Sequence, residues 1–140
     1  MTYIAGKPFK KELEIVNNTY SWAKEIDISV LREECEEFKE RPTFVVGSGG
    51  SISSCHMLVI LQQSNGSFSK AVTPLELFYL SNTIRNSNVF FLSAGGRNSD
   101  IMFAQNHAVK HNPKNISGLV LIKNSKLKQA SLKHSLVANF

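Results

Sequence analysis

The sequence has little of what marks metal, disulfide or membrane chemistry. Its 140 residues hold two cysteines, Cys35 and Cys55, with no Cys-x-x-Cys pair and no companion histidines at ligand spacing, which excludes a disulfide framework. Free thiols, no metal site and no cofactor are expected. No apolar run approaches the roughly 20 residues that span a bilayer, and Met1 to Lys11 lacks the apolar core of a signal peptide. The expectation is a cytoplasmic protein with no membrane partner. Acidic residues vanish after Asp100, while Lys110, Lys114, Lys123, Lys126, Lys128 and Lys133 follow, together with His107, His111 and His134. Within a net charge of +5, that asymmetry describes either a surface that attracts anions or a solvated basic face. No aromatic residues interleave with the lysines to stack on bases, so a nucleic-acid partner is not expected.

What is present is concentrated in Thr43 to Gln63, TFVVGSGGSISSCHMLVILQQ. A β-branched and aromatic run enters a loop of Gly47, Ser48, Gly49, Gly50 and Ser51, and a long apolar segment free of Gly and Pro follows, which predicts strand, tight loop and helix. The first turn of a helix offers unpaired N–H groups and the positive end of its dipole, so the unit suits an oxyanion. Glycine lets the backbone approach a ligand, and Ser51, Ser53 and Ser54 add hydroxyls. A dinucleotide site is a poor fit, because Ile52 stands where a third glycine belongs. A P-loop is excluded by the absence of Gly-Lys-Ser/Thr.

Along the chain, Met1 to Asn17 reads as an arm. One helix is expected from Asn18 or Thr19 to the stop at Arg41-Pro42, with Glu33, Glu34, Glu36 and Glu37 on a solvated face. After the central unit come a strand at Phe68 to Thr73, a short helix at Pro74 to Ser81 and a strand at Asn88 to Ser93. The last opens into a second polar loop, Ala94 to Asp100, and a helix, Ile101 to Lys110. Gly118 to Ile122 is a fourth strand, Ser125 to Lys133 a short helix, and Leu136 to Phe140 a fifth strand. Strand, Gly/Ser loop and helix thus occur twice, with both loops at carboxyl ends of strands, where open parallel sheets bind ligands. Right-handed crossovers then give an α/β domain of three layers, αβα, with a mostly parallel five-stranded sheet of flavodoxin-like type and an N-terminal helix.

Gly47-Ser48-Gly49-Gly50-Ser51 after the first strand and Ser93-Ala94-Gly95-Gly96-Arg97-Asn98-Ser99-Asp100 after the third resemble the sugar isomerase (SIS) domain family. Asn124-Ser125-Lys126-Leu127 is similar to that family's turn after strand four. The likeness covers Thr43 to Phe140, leaving residues 1–42 as an N-terminal arm and helix. It implies a phosphosugar-binding domain, part of a sugar-phosphate isomerase or a sugar-phosphate-sensing protein. The phosphate-binding residues it implies are Gly49, Ser51, Ser93, Gly95, Arg97 and Asn98, with amides of both loops meeting on one oxyanion. Arg97 stands where the family has Glu, and Gly95 where it has Ser. Glu76 matches the family's acidic residue after strand two and is the implied catalytic base of an active aldose-ketose isomerase, the alternative reading. A basic nucleic-acid-binding accessory protein is the other alternative. The family ends in a helix after strand five, so the domain is expected to be truncated, and to pair with a second copy or a second SIS domain.

Overall fold

The computed structural model describes residues 16–120, 125–129 and 134–137; residues 1–15 of the proposed arm, Asn124, and the parts of the expected fourth strand, last helix and fifth strand at 121–122, 130–133 and 138–140 lie outside them, while Val16 and Asn17 begin a helix. Where one N-terminal helix is expected there are two, α1 (Val16–Glu25) and α2 (Ser29–Glu40). Asp27 causes the break. Its carboxylate accepts the Ser29 N–H at 2.9 Å and the Ser29 hydroxyl at 3.1 Å, so short polar side chains start a new helix instead of continuing the old one.

The sheet has β1 (Thr43–Val46), β2 (Ser69–Val72), β3 (Asn88–Ser93), β4 (Asn115–Val120) and β5 (His134–Val137), in the order β2-β1-β3-β4-β5. Every neighbouring pair is parallel. The last two strands begin earlier than expected. The pairing of Ser117 with His134 and of Val120 with Val137 fixes their register. Helix α3 (Ser51–Ser64) follows β1; α4 (Pro74–Tyr79) and α5 (Ser81–Ile84) follow β2; α6 (Ser99–His111) follows β3; and α7 (Lys126–Gln129) follows β4.

Alternation along the strands divides the core. Phe44, Val46, Val89 and Phe91 face α4 to α7 and pack with Leu77, Ile84, Ile101, Ala104 and Leu127, whereas Val45 and Phe90 face α2 and α3 with Phe38, Cys55 and Val59. Phe38 and Phe90 meet edge to face, ring centres 5.3 Å apart. Helix α2 is therefore part of the three-layer domain, not an appendage. Its glutamates are not all solvated either: Glu34 shares the inward face with Phe38 and is only 4% exposed. Burial pushes the Cys55 thiol up to about 11, so it acts as a small apolar side chain. Among the described residues no helix is long and apolar enough to cross a membrane.

Helix α4 starts with a capping box. The Glu76 N–H reaches the Thr73 hydroxyl at 3.2 Å, and the Glu76 carboxylate accepts the Thr73 N–H at 2.7 Å. Thr73→Ala is expected to lower stability by about 1 kcal/mol in urea denaturation. The Glu76 carboxyl is held below its ordinary value, chiefly by the Thr73 N–H and next by the Thr73 hydroxyl. A depressed carboxyl contributes stability above its unfolded pKa and loses it as pH falls through the folded one. The stability gap between the native chain and Glu76→Gln should therefore be full at neutral pH and shrink below about pH 4. Denaturation curves collected across that range check the sign.

Candidate functional site

Strand order makes the site. Helix α3 leaves β1 toward one face and α6 leaves β3 toward the other, yet β1 and β3 are adjacent, with Val46 beside Phe91. The two polar loops therefore meet where the connections diverge, the position at which parallel sheets open a crevice.

Gly47 sets the first loop. A Cβ there would lie 2.5 Å from Cys55 Sγ and 3.1 Å from the Ser51 backbone, so only glycine lets the start of α3 fold this closely onto the end of β1. Gly49 turns the chain with φ +57. Gly50 occupies the N-cap position, where it supplies no side-chain hydrogen bond, and the first turn carries no acid. The turn bonds there are long, 3.3 Å from Ser51 N to Ser48 O and 3.2 Å from Ile52 N to Gly49 O. The start of α3 is an uncapped, electropositive helix end.

In the second loop the Ser93 hydroxyl oxygen accepts the Gly96 N–H at 3.0 Å, which leaves its own hydrogen to donate outward. Ser51, Ser54 and Ser93 line one cavity of about 200 Å³ together with Leu92, Ala94 and Leu119. No charged side chain is among them. What the cavity offers an oxyanion is three hydroxyls and a helix end.

The other expected residues are placed differently. Gly95 and Arg97 do not line the cavity; a Cβ on Gly95 would touch the Arg97 side chain at 3.7 Å, so that side chain lies back over its own loop. Asn98 is the N-cap of α6, accepting the Asp100 N–H at 2.8 Å. With Asp100 in its first turn, α6 already has the negative partners a helix start favours, which the start of α3 lacks. Asp100 lines a neighbouring cavity of about 320 Å³ with Ser48, Thr73 and Phe103. Glu76 is the capping residue of α4 and touches neither Ser51 nor Ser93 among its hydrogen bonds. Among the described residues no cluster of three or more His, Cys, Asp or Glu could hold a metal ion. Leu92 and Leu119 escaped sequence reasoning, since nothing in an apolar strand tells which residue opens onto a crevice.

No known family model matches the sequence, and no curated protein matches it significantly. Solved structures do. The NanR protein of Vibrio vulnificus, complexed with ManNAc-6P, superposes with a TM-score of 0.76 at 20% identity over 94% of this chain. This chain spans 50% of that one. The c3406 protein of Escherichia coli CFT073, in complex with A5P, gives 0.70 at 16% identity, covering 96% of this chain and 75% of its own. The tagatose-6-phosphate ketose/aldose isomerase of Escherichia coli gives 0.57 at 14% identity, covering 79% and 34%.

Proposed function

We propose that this chain, which has the fold of the sugar isomerase (SIS) domain, binds a sugar phosphate, as part of a sugar-phosphate isomerase or a sugar-phosphate-sensing protein. The observation that carries the reading is the single cavity lined by Ser51, Ser54 and Ser93 at the uncapped start of α3. A phosphate there accepts from hydroxyls and amides and meets the positive end of the dipole. Neighbours of the same fold hold ManNAc-6P and A5P.

The reading makes the chain a binding unit in the first place. A general base must reach the substrate carbon and keep a pKa near working pH. Glu76 closes the α4 capping box and is held below the ordinary range, both of which weigh against that role.

Pairing with a second copy or a second SIS domain belongs to the same proposal. An apolar groove of about 300 Å³ beside α3, lined by Leu31, Met57, Leu61, Phe90 and Leu119 among others, supports it, and light scattering measures it.

The test is thermal denaturation against hexose, pentose and heptose phosphates and the matching free sugars. A ligand at about a hundred times its Kd stabilises the native state by about 2.7 kcal/mol. At least one phosphate ester should raise Tm while its free sugar does not. A flat response to the whole panel, or a response that Ser51→Ala leaves untouched, rejects the reading.

A further inference from the structure

On the side of the sheet away from α3, the helices α4 and α6 turn apolar side chains outward. Leu75, Tyr79 and Phe103 are each more than half exposed, and Phe78 is partly so. They form one surface. The Phe78 ring centre lies 5.7 Å from that of Tyr79, 5.9 Å from that of Phe103 and 4.7 Å from that of His107, and Leu75 and Phe103 line the same cavity. His107 is held in this row by Ser81, whose Oγ lies 2.9 Å from its Nε2. Burial, and next the neighbouring His111 and Lys110, keep His107 below its ordinary pKa, so its ring is uncharged at neutral pH. A continuous exposed aromatic surface of this kind marks an interaction site.

The order of side chains along α6 points to the partner. Asp100, Phe103, His107 and Lys110 recur at three- and four-residue spacing, which at 3.6 residues per turn keeps them within an arc of about 80°. Ile101, Ala104, Gln105 and Ala108 turn inward. The outer row is balanced about position 105: Asp100 and Lys110 stand five residues to either side of it, and Phe103 and His107 two. A second α6 laid antiparallel on the first, with a two-fold axis at that point, therefore sets Asp100 of each copy against Lys110 of the other and Phe103 of each against His107 of the other. Parallel packing would set like charge on like. Asp100 and Lys110 are exposed, and neither is in an ion pair, which among the described residues joins Lys39 to Glu36.

We propose that this face joins two copies of the chain in an isologous dimer, α6 against α6 with α4 at its flank. Burial of Leu75, Phe78, Tyr79 and Phe103 supplies the affinity. Exposed ion pairs add little by themselves, so the charges chiefly fix the register and disfavour other arrangements. This face is distinct from the groove beside α3, and pairing through it does not depend on the sugar-phosphate reading. If both faces pair, the assembly is a tetramer.

The test is sedimentation of the full chain carrying Leu61→Asp, a charge at an exposed position that blocks association through the groove beside α3. This chain should still dimerise as its concentration is raised. Adding Phe103→Ser, again at an exposed position, should weaken the dimer at least tenfold. Asp100→Lys and Lys110→Asp, added singly, should each do the same, because each sets like charges against one another at both ends of the interface. Mixing those two variants should give a heterodimer, and combining both substitutions in one chain should restore the homodimer. The Tm of each variant checks that it is folded. Phe103→Ser without Leu61→Asp leaves the α3 face free, so failure of one pairing is read apart from failure of the other. The inference is overturned if the Leu61→Asp chain stays monomeric, if Phe103→Ser or the single charge reversals leave its dimer intact, or if neither mixing nor combining the reversals recovers association.

Discussion

Gly96→Ala is expected to remove roughly 2 to 5 kcal/mol of stability, seen as a fall of about 10 °C in Tm. Two costs combine. Gly96 has φ +57, a conformation that costs an L residue about 1 kcal/mol or more. The new methyl would also stand 2.5 Å from Ser125 Cβ, 2.7 Å from Ser125 Oγ and 3.2 Å from Val120 Cγ1, an overpacking of the kind that costs about 1 to 3 kcal/mol. The carbonyl of Gly96 accepts the Leu127 N–H at 2.9 Å, so the loop cannot move away without losing its tie to α7. Gly49→Ala supplies the control. Gly49 has the same φ of +57, and nothing lies within 4 Å of the added methyl, so only the conformational cost, about 1 kcal/mol, remains. Denaturation of both variants separates strain from crowding. Equal losses would mean that Gly96 does not pack against Ser125 at the start of α7. Because the Gly96 N–H is bonded to the Ser93 hydroxyl, the same substitution should weaken ligand binding at a site it does not line.

The difference between these two glycines was invisible in the sequence. The letters Gly47-Ser48-Gly49-Gly50-Ser51 locate the tight loop because positive φ and close approach both demand glycine. No letter of the second loop says that Gly96 is crowded, since that depends on Ser125, nearly thirty residues further along. Strands were legible for a related reason: NVFFLS is apolar throughout because both faces of β3 are covered, and its predicted span, Asn88 to Ser93, matches β3. Apolar spacing through Trp22, Ile26, Val30 and Leu31 suits one helix, and the Ser29 N–H bond to the Asp27 carboxylate overrides it. Neighbouring letters alone put Glu34 on a solvated face, because its partner, Asn115, stands on a strand 81 residues away in sequence.

The site was legible in part. Ser51 and Ser93 were marked by loops at strand ends, and the strand order brings them to one cavity. Asn98 and Glu76 show the limit of motif reading. Residues that accept hydrogen bonds near a helix start look alike in sequence whether they serve a ligand or cap the helix itself. Only the bonds to Asp100 N and Thr73 N distinguish the two uses.

Ser51→Asp is expected to shift stability and binding in opposite directions. Ser51 is the first residue of α3, a helix with no side-chain cap and no acid in its first turn. A carboxylate there meets the positive end of the dipole and should stabilise the fold by about 0.3 to 1 kcal/mol in urea denaturation. The same carboxylate reaches the cavity shared with Ser54 and Ser93 and puts a negative charge where the phosphate is to sit. Two unit charges about 4 Å apart near a protein surface repel by about 4 kcal/mol. At about 1.4 kcal/mol per decade, binding should fall by a hundredfold or more. Ser51→Ala removes a hydroxyl and adds no charge, so its loss should stay near tenfold, about 1.4 kcal/mol. A ligand that binds elsewhere on the fold would respond to neither substitution, and one held by hydrogen bonds without negative charge would treat Asp and Ala alike. A stabilised Asp variant that no longer responds to sugar phosphate, beside an Ala variant that still does, places a negatively charged guest at the start of α3.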